Sequence, residues 1–144
     1  MVYRSEEVYP PTIFPGLRQR IENLIEAGRL RCPKAVFDEI KAGDDCHKWA
    51  KSQSALFVEE SVAVQQIVRD IMARHHDPAK PHKGIAGADP FVIAMAMDGG
   101  ERWTVVADEH PGSPENRKIP FVCNHERVKC ITFQGMMLAE GWQF

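Results

Sequence analysis

The segment Gly87-Ala88-Asp89-Pro90-Phe91-Val92-Ile93-Ala94-Met95-Ala96-Met97, with Trp103-Thr104-Val105-Val106-Ala107-Asp108 close behind it, decides the fold. From Phe91 to Met97 the first part is apolar on every side, which predicts a helix buried all round rather than one lying on a surface. Asp89 stands where an N-cap belongs, and Pro90 takes the first helical position, where a missing N–H leaves nothing unpaired. Gly99-Gly100 should end this helix. The second part is β-branched and aromatic, the clearest strand of the chain, and it stops at Asp108-Glu109-His110. Acids therefore sit at a helix mouth and a strand end, the places where parallel α/β sheets bind their ligands.

The same alternation extends outward in both directions. Tyr9-Pro10-Pro11-Thr12 reads as extended chain. Leu17, Ile21, Leu24 and Ile25 then share one helical face, closed by Gly28. A short strand is expected at Leu30-Arg31, and Pro33 opens a second helix with Val36, Phe37 and Ile40 on its apolar side. Asp44 to Ala50 reads as a short third helix and Leu56-Phe57-Val58 as extended. From Glu59 to about His75, the residues Val62, Val64, Ile67, Val68, Ile71 and Met72 mark the longest amphipathic helix. A loop follows, and the pair His75-His76 reads as favouring the helix dipole rather than as metal ligands. Beyond the loop Pro111 to Pro120, a short helix to Glu126, a strand from Val128 to Thr132 and a helix with Phe133, Met136, Met137 and Leu138 complete the pattern. The expectation is one α/β domain over residues 1–144, a parallel sheet flanked by helices.

Composition narrows the function. With 44% apolar and 26% charged residues, the chain is neither a disordered segment nor a membrane protein. A length of 144 residues suffices to bury roughly two thirds of the unfolded surface. The net charge of -2 and pI near 6.3 exclude a broad basic field, so any nucleic-acid contact must be local. The first residues carry no secretory signal and the four cysteines form no Cys-x-x-Cys pair, which predicts a reduced, cytoplasmic protein. Zinc at Cys123, His125 and Cys130 is disfavoured, because structural zinc sites use closely paired ligands.

Glu39 supplies a third acid. At about 100° per residue it falls on the edge of its helix's apolar side, while Asp38 points nearly away. An edge carboxylate reaches into a cleft without being entombed.

In this order the features resemble the PIN-domain proteins of the VapC-like superfamily, and more closely a PIN-like branch with Ile-Phe-Pro-Gly near its start. The matching segments are Ile13-Phe14-Pro15-Gly16, Ala35 to Gly43, Gly87-Ala88-Asp89-Pro90 with Ile93-Ala94, Val105 to Glu109, and Lys118-Ile119-Pro120. The resemblance implies a PIN-like three-layer α/β fold and a Mg2+- or Mn2+-dependent ribonuclease, commonly the toxin of a toxin–antitoxin pair. Carried over by motif, the acidic metal site comprises Glu39, Asp89 and Asp108, with Glu109 as a substitute. Carboxylates suit such ions because hard divalent cations take oxygen ligands. Lys34, Lys83, Arg117 and Lys118 are candidate contacts to an RNA backbone.

One feature of the family pattern is missing. It begins with an apolar strand ending in a central Asp ligand, and nothing before Tyr9 reads that way. Either the gene product starts upstream, or the first strand is lost. In the second case the chain is an inactive PIN-like remnant, an interaction module that binds an antitoxin or pairs as a homodimer through exposed sheet edges.

Overall fold

A computed structural model describes residues 8–43, 45–81 and 83–144. Among them lie seven α-helices and four short strands in the order α1 (Leu17–Glu26), β1 (Cys32–Pro33), α2 (Lys34–Glu39), α3 (Asp45–Ser52), β2 (Phe57–Val58), α4 (Val62–His75), α5 (Asp89–Asp98), β3 (Val105–Val106), α6 (Ile119–His125), β4 (Cys130–Ile131) and α7 (Phe133–Ala139). The fold is mixed α/β with parallel pairing, as the alternation predicts.

Among the described residues the strands form two separate pairs rather than one sheet. Cys32 and Pro33 lie beside Phe57 and Val58, and Val105 and Val106 beside Cys130 and Ile131, each pair parallel. The Arg31 guanidinium stacks over the Trp103 ring at 5.8 Å. Residues just before β1 and β3 thus meet, so the two pairs share their amino ends and their carboxyl ends.

Side-chain alternation assigns the layers. Val105 and Cys130 face a cluster built from Val64 and Ile71 of α4, Ile93 and Ala94 of α5, and Val122 of α6. Their neighbours Val106 and Ile131 face the opposite cluster, with Leu17, Ile21 and Leu24 of α1 and Phe133 and Met137 of α7. Helix α5 packs against α4 and against both β1 and β3, which ties the two pairs together.

Several boundaries differ from the sequence reading, each for a local reason. The first strand begins at Cys32 rather than Leu30, because the N–H groups of Arg29 and Leu30 turn back to the Leu24 carbonyl and finish α1. Cys32 is the first residue free to donate across, to the Leu56 carbonyl at 2.8 Å. Helix α4 starts at Val62, since Ser61 caps it by accepting the Val64 N–H. Glu60 accepts the Ala35 N–H at 2.7 Å instead of joining that helix. Val62 and Leu138, expected on apolar faces, are 84% and 74% exposed. The expectation for the missing first strand falls on residues 1–7, and that for the start of α3 on Asp44; both lie outside the described residues. No described helix is long and apolar enough to cross a membrane.

Ile93 is fully buried. Ile93→Ala should therefore lower the unfolding free energy by about 2–5 kcal/mol in urea titrations. Val62→Ala should stay within about 0.5 kcal/mol of the parent.

Candidate acidic site

The carboxyl ends of β1 and β3 open into a cleft of about 610 Å3, and Glu39, Asp89, Asp108 and Glu109 all line it. The four acids arrive by three routes. Glu39 ends α2, Asp89 begins α5, and Asp108 and Glu109 follow β3.

Asp89 is not the N-cap of its helix. That position falls to Ala88; Asp89 is the first helical residue, Pro90 the second, and no side chain caps the helix from within. The Ala88 N–H is instead accepted by Glu39 Oε1 at 2.8 Å, across 49 residues of sequence. This contact explains Gly87. Its φ of +57° is left-handed, and a Cβ there would collide with the Glu39 carboxylate. The tripeptide Gly87-Ala88-Asp89 is therefore shaped around Glu39.

Relieved of capping, the half-buried Asp89 carboxylate has no hydrogen-bond partner among the described residues. Burial, then the charges of Glu109 and Glu39, push its carboxyl up to about 6, with Lys118 pulling in the other direction. Asp108 is engaged elsewhere: its Oδ1 accepts the Phe133 N–H at 2.8 Å at the start of α7. Glu109, the substitute acid, is thus the β3 residue whose charge Asp89 feels.

Four carboxylates suit a hard divalent ion, and the Asp89 oxygens are unclaimed by the described residues. The group is open, however. Among the described residues the trio gathered within 4.8 Å is His75, His125 and Glu126, at the C-terminal ends of α4 and α6. That trio offers enough ligand atoms for a metal, but it is already committed. Glu126 takes Arg74 on both oxygens, at 2.8 and 3.0 Å, and His75 Nε2 at 2.8 Å. Arg117 donates to His75 Nδ1 at 3.0 Å, so Nε2 carries the proton. Burial lowers the His75 pKa despite Glu126, which keeps the ring neutral at neutral pH. The carboxyl of Glu126 stays below its usual range, because the Arg74 and His75 hydrogen bonds outweigh its burial. Two guanidinium groups beside the trio oppose a cation. His75, 2% exposed, is a buried strut rather than the helix-end cap its position suggests.

The other candidates separate similarly. Lys34 is paired with Asp38 at 2.8 Å and Arg117 with His75, whereas the charge of Lys118 is felt at Asp89. Cys123 and Cys130 share a hydrogen bond with each other, outside any trio with His125. In the cleft wall, burial pushes the Cys32 thiol up to about 12, so it is no nucleophile. The Glu39 contact with Ala88 and the Arg74–Glu126–His75–Arg117 network escaped sequence reasoning because their partners are distant in the chain; a left-handed glycine before an acidic helix start was the one local trace.

Over residues 1–144 the chain matches the family model described as a domain of unknown function (DUF4411), and it belongs to that family. No curated protein matches it, nor does any solved structure.

Asp89 binds its proton more tightly folded than unfolded, so the stability this group contributes is present below about pH 4 and is lost as pH rises through about 6. Asp89→Asn should therefore raise the Tm by several degrees at pH 7.5 and leave it unchanged near pH 3.5, by calorimetry. A capping Asp would give the reverse, a loss at neutral pH. Gly87→Ala should destabilise by about 1 kcal/mol or more, since it meets both a left-handed φ and the Glu39 carboxylate.

Proposed function

We propose that this DUF4411 protein is a metal-dependent ribonuclease with a PIN-like fold, acting as the toxin of a cytoplasmic toxin–antitoxin pair. The observation that carries the reading is the Asp89 carboxylate, without a hydrogen-bond partner among the described residues and held at the cleft with its pKa raised by burial and by Glu109 and Glu39. A bound cation relieves that repulsion. The order of sequence motifs supports the same class.

In this reading Glu39, through Oε2, and Asp89 hold Mg2+ or Mn2+ directly or through its waters, and Glu109 or the free oxygen of Asp108 orients a water. Once bound, the metal supplies an acidified water and neutralises charge on the phosphoryl oxygens. Lys118, whose charge already acts on Asp89, steadies the RNA phosphate. Arg117 and Lys34 are already paired, with His75 and Asp38.

One observation favours a second reading, an inactive module that binds an antitoxin or another copy of itself. Glu39 and Asp108 each spend an oxygen on a backbone N–H, which is what structural carboxylates do. The two readings part on metal. The ribonuclease should cleave single-stranded or structured RNA with Mn2+ or Mg2+ and not with EDTA, and Asp89→Asn should lower the rate by at least about 100-fold. Millimolar Mn2+ should raise the Tm of the parent but not of the variant. Cleavage unaffected by the substitution, or no metal-dependent Tm rise, favours the module.

A further inference from the structure

The loop between β3 and α6 is tied to itself and hangs from one side chain. Ser113 and Asn116 exchange backbone hydrogen bonds at 3.1 Å, and Gly112, at φ +86°, packs so closely that a Cβ there would lie 2.9 Å from the Lys118 nitrogen. Outward, among the described residues, residues 110–117 hydrogen-bond through Arg117 alone. Its N–H donates to the Lys83 carbonyl at 3.1 Å. Its guanidinium lies over the Phe121 ring, and Nη1 donates both to the Arg74 carbonyl at 2.7 Å and to His75 Nδ1 at 3.0 Å. The next residue is Lys118, which immediately precedes α6 and whose charge reaches Asp89.

Of the groups that grip the guanidinium, His75 alone can change its charge. Both of its ring nitrogens are committed, Nε2 to Glu126 and Nδ1 to Arg117. Glu126 and His125 of α6 and Arg117 of the loop act on the ring directly, and Arg74 of its own helix reaches it through Glu126. A second proton leaves the Glu126 contact intact, because Nε2 is already the donor there. At Nδ1 it turns an acceptor into a donor and sets an imidazolium against a guanidinium. We propose that His75 is an acid-sensitive latch: neutral, it holds Arg117 and so keeps Lys118 at the acidic cleft, and protonated, it expels the guanidinium and frees the loop. Because burial lowers the His75 pKa, the latch is shut at neutral pH and opens below the ordinary histidine value of about 6.5. Release stands on the contact between His75 and Arg117; only its effect on RNA rests on the ribonuclease reading.

Hydrogen exchange at the amide of residue 117, with the His75 ring followed by NMR, tests the latch in the full chain in EDTA. Protection, corrected for the intrinsic pH dependence of exchange, should fall at least tenfold with the His75 titration, while the Ile93 amide stays protected. Arg117→Met should lack that protection at neutral pH. His75→Asn, which keeps a neutral acceptor and takes no proton, should hold it at every pH, and His125→Gln should leave the transition in place. Protection that is level down to about pH 4.5, that persists at neutral pH in Arg117→Met, or whose loss disappears with His125→Gln overturns the proposal. In RNA cleavage, Arg117→Met should raise KM more than it lowers kcat, as Lys118→Met does, and the two together no further. Additive effects overturn the action through Lys118. A parent that cleaves no RNA removes the ribonuclease reading and leaves the latch to be decided by exchange.

Discussion

Helix α5 is the constraint on which the rest depends. Apolar on all sides from Phe91 to Met97, it is satisfied only between layers, and Ile93 and Ala94 are fully buried there. Two strands alone are marginally stable in water. Neither pair here is hydrogen-bonded to the other, so the packing of α5 on β1 and β3 is what makes them one structure. The same placement fixes where the helix begins, and therefore where Asp89 projects.

What happens at that beginning follows from how its backbone donors are satisfied. The Ala88 carbonyl accepts the Phe91 and Val92 N–H groups, and Glu39 accepts the Ala88 N–H, so no capping duty falls to Asp89. Gly87 yields the space, and Asp89 is left half-buried, with the charges of other acids acting on it and no donor among the described residues. A folded chain tolerates such a group only at some loss of stability, which is the usual mark of a site kept for binding. The contrast with Glu126 is instructive. That carboxylate is also partly buried, yet Arg74 and His75 saturate it and hold its pKa down.

Most of the fold was legible in the sequence. Helical faces such as Leu17, Ile21, Leu24 and Ile25, and the strand alternation at Val105-Val106, report local physics that one chain segment carries by itself. Strand length was not legible, because pairing depends on partners: the apolar run extends from Trp103 to Ala107, while the paired residues are Val105 and Val106, with Ala107 donating just beyond them to the Ile131 carbonyl. The split into two pairs was hidden for the same reason. Within the site, the types and order of Glu39, Asp89 and Asp108 were readable, but their allegiances were not. Nothing near Asp108 signals that it caps the turn at Phe133, and nothing near Glu39 signals Ala88.

The central claim is that the start of α5 strands Asp89 among carboxylates in a ligand cleft. A carbon-13 NMR titration of the Asp89 side chain tests it directly, alone and with saturating Mg2+. The carboxyl should titrate near 6 in the free protein and fall when Mg2+ is added. An ordinary Asp value of about 3.9, unmoved by Mg2+, contradicts it.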